Sequence, residues 1–119
     1  MLKKADSVDA QTAVQHQLDA YNARDLDRFL AVYAEDVKVF RPPSPEPSMV
    51  GKATLAEFYR TQRFNLTGLR AELVNRIVVG NKVIDHERVI GVRDEPFEVA
   101  VAYEVREGLI TAVWFFPAE

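Results

Sequence analysis

From residue 70 to residue 116 the apolar residues recur with a period of two, in segments 70–79, 83–92, 97–105 and 109–116. Only Gly80-Asn81, residues 91–96 and Glu107-Gly108 separate them. Parallel neighbours need a crossover of roughly a dozen residues or more, and none of these gaps is that long. The four segments are therefore expected to pair as an antiparallel meander. In the third, Phe97, Val99, Val101, Tyr103 and Val105 alternate with Glu98, Ala100, Ala102 and Glu104, which gives one core face and one small, mixed face.

Upstream the period is helical. Val14, Leu18 and Tyr21 mark a helix over residues 8–21, with Asp6 or Ser7 placed to cap it. Asp25 caps a second, whose Leu26, Phe29, Leu30 and Tyr33 stand at i, i+3, i+4 and i+7. Val37, Val39 and Phe40 around Lys38 predict a short strand, followed by a stiff extended connector holding Pro42, Pro43, Pro45 and Pro47. After Gly51, Leu55, Phe58, Tyr59 and Gln62 predict a third helix with Thr54 and Glu57 as a capping box. Helices first and strands afterwards predict an α+β fold: three helices packed on one face of a curved, mainly antiparallel sheet, as a single domain over residues 1–119.

With 48% hydrophobic and 28% charged residues, the chain has the means to bury a core. It has no cysteine, which removes disulfides, thiolate zinc sites and a cysteine nucleophile and fits a reducing cytoplasm. Asp6, Asp9 and Asp19 interrupt any apolar run near the N-terminus, so neither a signal peptide nor a membrane span is expected and the chain should be soluble. A net charge of −3, with Lys and Arg scattered, argues against nucleic acid as a partner. His16 and His86 lie on different elements, and no glycine-rich phosphate loop or dinucleotide fingerprint occurs. Neither a metal nor a cofactor is expected.

The order of elements, the phrases Tyr33-Ala34-Glu35-Asp36, Gly51-Lys52 and Glu57-Phe58-Tyr59, and the ending Gly108 to Phe116 resemble the nuclear transport factor 2-like superfamily. Val83-Ile84-Asp85-His86-Glu87 and Val113-Trp114-Phe115 resemble its SnoaL-like and ketosteroid-isomerase-like branch. The resemblance implies a cone-shaped fold with a pocket between helices and sheet. It also implies where an isomerase would keep its machinery. Arg41 stands at the position of the catalytic aspartate, Gln17 at that of the oxyanion-hole tyrosine and Val101 at that of the protonated aspartate, while Tyr33 and Tyr59 match the supporting tyrosines. A guanidinium stays protonated and cannot serve as base, so steroid isomerisation is not expected.

The same alignment turns Ile84, His86, Arg88 and Ile90 inward, together with Val99, Val101, Tyr103, Val113 and Phe115. The opposite register, with Val83, Asp85, Glu87 and Val89 inward, differs by one residue; the first is preferred. On that basis His86 is the candidate proton shuttle, since its reference pKa of roughly 6.5 allows either role near neutrality. Asp85 and Glu87 then face away from it, so the three cannot form a triad. Arg41 and Arg88 form a cationic patch suited to a carboxylate or a developing oxyanion, and Gln17, Tyr33, Tyr59, Val101, Tyr103 and Phe115 complete the ligand-binding set. The expected ligand is a small apolar or weakly anionic molecule. It is either transformed by a cofactor-independent isomerase or lyase-like enzyme or only bound; the remaining alternative is a purely structural dimerisation module. Small Ala100 and Ala102 beside Ala112 and Trp114 on the outer sheet face predict a homodimer through that face.

Overall fold

The structure, a computed structural model, describes residues 4–118, with side chains described from Val8 onward. Its elements run α1 (Lys4–Ala23), α2 (Leu26–Leu30), β1 (Tyr33–Phe40), β2 (Pro47–Val50), α3 (Lys52–Gln62), β3 (Arg70–Val79), β4 (Lys82–Ile90), β5 (Phe97–Arg106) and β6 (Leu109–Pro117). The expected α+β fold is present: three helices lie on a curled six-stranded sheet of order β2-β1-β6-β5-β4-β3. All neighbours are antiparallel except β1 and β6, which run parallel.

α1 buries Ala10, Ala13, Val14, Gln17 and Leu18 against the inner face of the sheet. It is longer than its apolar stripe, so Asp6 and Ser7 fall inside the helix rather than capping it. α2 is a little over one turn. Asp25 caps it, its carboxylate accepting from the backbone N–H of Arg28 at 3.1 Å. The expected stripe is cut short, because Tyr33 begins β1 instead of continuing the helix. Phe29, fully buried, anchors α2 among Tyr33, Tyr59 and Phe64, with ring centroids 5.0, 4.6 and 5.2 Å away.

The proline segment ends in a strand rather than remaining a connector throughout. Pro47 opens edge strand β2, a position where its missing N–H leaves no ladder bond unmade. α3 is capped by Gly51 at φ +92, so Thr54 lies within the helix and the capping box does not form; Glu57 pairs with Arg60 instead. Where β4 leaves the sheet, Gly91 has φ +87, and a Cβ there would stand 2.2 Å from the Gly68 carbonyl oxygen. Only a glycine at 91 lets the end of β4 come so close to the chain entering β3.

β4 adopts the register not preferred from sequence. Val83, Asp85, Glu87 and Val89 are buried on the inner face, while Ile84, His86 and Arg88 face outward. The inner face is held by Arg76 of β3, whose guanidinium bonds both carboxylate oxygens of fully buried Asp85 at 2.7 and 2.9 Å and donates to Gln15 of α1 at 2.9 Å. This clamp ties α1 to the sheet.

Candidate functional site

Between α1, α3 and the inner sheet face lies a cavity of about 140 Å³. Its floor is buried and its rim reaches solvent, since Tyr33, Tyr59 and Tyr103 are buried whereas Arg41 and Arg93 are exposed. β1 supplies Tyr33 and the residue just after its end, Arg41. α1 supplies Gln17 and Tyr21, α3 supplies Phe58 and Tyr59, and the sheet supplies Glu87, Val99, Tyr103 and Phe115. The Tyr103 hydroxyl donates to Gln17 Oε1 at 3.1 Å, which fixes both side chains.

Of the residues expected to bind ligand, Gln17, Tyr33, Arg41, Tyr59, Tyr103 and Phe115 come together around this cavity. Val101 faces inward but is wholly buried in the core and does not line it. His86 and Arg88 are corrections. They stand on the outer face, where His86 Nε2 contacts the Glu98 carboxylate and Arg88 donates to Glu72 at 3.1 Å. The one-residue difference in register carries them to the side of the sheet opposite the cavity. Asp85 and Glu87 do face away from His86, as alternation requires.

The residue that takes the inward place is Glu87. It is 7% exposed, and its Oε2 is sealed from solvent with no hydrogen-bond partner. Burial pushes its carboxyl from 4.5 up to about 7; the neighbouring Asp85 carboxylate adds to the rise and the Arg76 guanidinium opposes it. A buried carboxylate raised so far is half-ionised near neutrality, able to take or give a proton. Around it the phenols stay neutral. Burial raises Tyr33 and Tyr103 well above 10.0 and pushes Tyr59 up to about 12, so each is a donor rather than a phenolate. Acid, base and donor roles are thereby available in one cavity without a metal. Among the described residues no cluster of three potential metal-ligating side chains occurs.

Arg63 and Arg93, neither of which the sequence singled out, join Arg41 at the cavity. Each guanidinium lies over a lining aromatic ring: Arg41 over Phe115 at 5.0 Å, Arg63 over Phe58 at 5.0 Å and Arg93 over Phe97 at 4.1 Å.

Residues 14–113 match the profile of the SnoaL-like domain. The chain belongs to that family. Solved structures agree on the fold. A protein provisionally assigned as a ketosteroid isomerase from Kribbella flavida superposes with a TM-score of 0.80 at 23% identity, covering 93% of this chain and 78% of that one. A SnoaL-like protein of unknown function from Burkholderia thailandensis gives 0.79 at 19% identity over 99% and 98%. An LEH-like epoxide hydrolase from Mycobacterium tuberculosis gives 0.77 at 20% identity over 93% and 84%. None of the curated proteins matches the chain. Among the described residues no helix of this SnoaL-like domain is long and apolar enough to cross a membrane.

Proposed function

We propose that this SnoaL-like domain is a cofactor-independent enzyme that moves a proton within a small, largely apolar carbonyl or hydroxy compound. Glu87 is the shuttle. The observation that carries the reading is a buried carboxylate lining the cavity with one oxygen unpartnered. In the ionised form it removes a proton from a carbon beside a carbonyl. The C–H electron pair moves into the carbon skeleton and onto the carbonyl oxygen, and a neutral phenol of the cavity donates a hydrogen bond to the developing enolate. Protonated Glu87 then returns the proton to a second carbon as the enolate collapses, which gives an isomerisation with no net loss of atoms. Structural neighbours bearing the names of a ketosteroid isomerase and an epoxide hydrolase support an enzyme at the level of fold. The positions implied by the resemblance, Arg41, Gln17 and Val101, argue against the steroid reaction itself.

Carboxyl-carbon NMR titration of the free protein tests the central claim: a resonance absent in Glu87→Gln should titrate near pH 7. Titration in the ordinary carboxylate range, or unchanged turnover of an identified substrate by Glu87→Gln, would reject Glu87 as shuttle. A second reading, binding without chemistry, is favoured by the same three replaced positions; it predicts that any ligand is recovered unaltered.

For assembly we propose a homodimer through the outer sheet face. There Ile77, Ile84, Ala102, Trp114 and Phe40 stand opposite one another in a row across five strands. Ile77 and Ile84 are 51% and 41% exposed, and Phe40 stacks on Trp114 at 5.5 Å. Light scattering should give twice the chain mass, falling to the monomer in Ile84→Asp; a wild-type monomer at every concentration rejects the dimer.

A further inference from the structure

Three arginines converge on the cavity from three separate parts of the chain: Arg41 follows β1, Arg63 follows α3 and Arg93 lies between β4 and β5. The chain as a whole carries a net charge of −3, so this concentration of cations is local. Among the described residues the arginines in ion pairs are Arg60, Arg76, Arg88 and Arg106. Among the described residues no carboxylate lies within ion-pair distance of Arg41, Arg63 or Arg93, although Asp94 and Glu95 directly follow Arg93. Their faces are occupied by Phe115, Phe58 and Phe97. A guanidinium stacked on a ring keeps its N–H groups in the guanidinium plane, where they can donate to a carboxylate in a fork. Stacking also holds the long side chain in place before the ligand arrives, which lowers the entropy lost on binding.

The field of this rim reaches inward. Arg63 and Arg41 pull down the pKa of buried Tyr59 against the larger effect of its burial. The charges acting on Glu87 are instead Asp85 and Arg76, below the cavity. One site thus has a cationic rim, an aromatic wall and a proton-transfer group at a different depth.

We propose that the ligand of this pocket is a compact apolar carboxylic acid, its carboxylate held by Arg41, Arg63 and Arg93 and its apolar body lying against the aromatic wall toward Glu87. The proposal rests on reading the cavity as the functional site, and it assigns the substrate class rather than the reaction. Size favours a compact body: about 140 Å³ is small beside ligand pockets of roughly 300–1,000 Å³. The space suits one ring with a short chain better than a fused ring system.

Calorimetric titration with 3-phenylpropionate and its uncharged amide separates rim from cavity. The acid is expected to bind about tenfold or more tightly than the amide, the scale of one charge-assisted hydrogen bond. Raising the salt concentration should weaken the acid alone. In R41Q/R63Q/R93Q the preference should vanish, the acid losing more affinity than the amide; thermal unfolding of that variant without ligand checks that it is folded. Arg41→Lys, which keeps the charge and loses the fork, should fall between the two. Equal affinity of wild type for acid and amide, a preference that survives in R41Q/R63Q/R93Q, or binding of neither compound at millimolar concentration overturns the proposal. Glu87→Gln distinguishes this from the proton-transfer reading: it should still prefer the acid, and a failure of Glu87 in the wild type to titrate near pH 7 leaves the rim untouched.

Discussion

On the inner face of β4, Asp85 and Glu87 are closed off from water, whereas on the outer face His86 and Arg88 meet Glu98 and Glu72 in contact with solvent. All four are ionisable side chains in one stretch of chain, and what separates them is the medium. Outside, a charge keeps most of its hydration, and an ion pair adds little beyond what water already provides. Inside, each charge needs a partner, and the two carboxylates are treated differently. Asp85 has the bidentate Arg76 guanidinium; Glu87 has none for its Oε2. Burial raises the proton affinity of unpartnered Glu87, and chemistry is to be sought there rather than at the histidine.

The largest expected effect comes from breaking the inner arrangement. Arg76→Met leaves Asp85 buried without its counter-ion, and urea unfolding at pH 7 should show a loss of about 3–5 kcal/mol. The same change removes the one cation that opposes the rise at Glu87, so the titration of Glu87 should move higher still. A loss below about 1 kcal/mol, the scale of an exposed pair, would erase the distinction between the faces.

Glu87→Gln sharpens the comparison through pH. A carboxyl raised from 4.5 to about 7 holds its proton longer in the folded protein than in the unfolded chain. Its contribution is thus most favourable below 4.5 and is lost as pH rises to about 7. The neutral amide escapes that loss. The variant should be more stable than wild type by about 3 kcal/mol at pH 8, with most of the advantage gone near pH 4. The groups around it that bear on the result are Asp85, Arg76 and the phenols of Tyr21, Tyr33, Tyr59 and Tyr103, the phenols remaining protonated throughout this range. An advantage independent of pH would place the carboxyl in water.

The smallest effects belong to the outer face. His86→Ala and Arg88→Ala should each change stability by less than about 1 kcal/mol, because both partners of each pair are about half exposed. Ligand affinity should stay at the wild-type level in both. A tenfold loss of affinity in either would mean that this face reaches the ligand.

Why the sequence revealed β5 but not β4 follows from their side chains. β5 alternates large apolar residues with Glu and Ala, and Val99, Val101, Tyr103 and Val105 are indeed buried. In β4 the two faces read Val-Asp-Glu-Val and Ile-His-Arg-Ile, equally amphipathic, so alternation alone cannot orient the strand. The deciding contacts are remote in sequence: Arg76 reaches Asp85, and Glu87 stands opposite Val99 on the known inner face of β5. The long turn between the strands conceals that pairing, whereas a two-residue hairpin would have fixed it. The rim was half legible for the same reason. Arg41 came from its place in the family pattern, while Arg63 and Arg93 lie in a helix end and a loop where no periodicity marks a direction. Helix positions were readable from their stripes, and Asp25 marked the start of α2; the end of α2 was not, because Tyr33 found a sheet partner in Ile110 and left the helical pattern.

The parallel pairing of β1 with β6 also sets an order of assembly. Arg41 waits beside a gap until Phe115, made much later, arrives to lie beneath it. During synthesis the helices and the first hairpins can form from local contacts, but the Arg41–Phe115 contact exists only once β6 has been inserted between β1 and β5. Closure of the sheet thereby waits until the polypeptide has been made through its sixth strand.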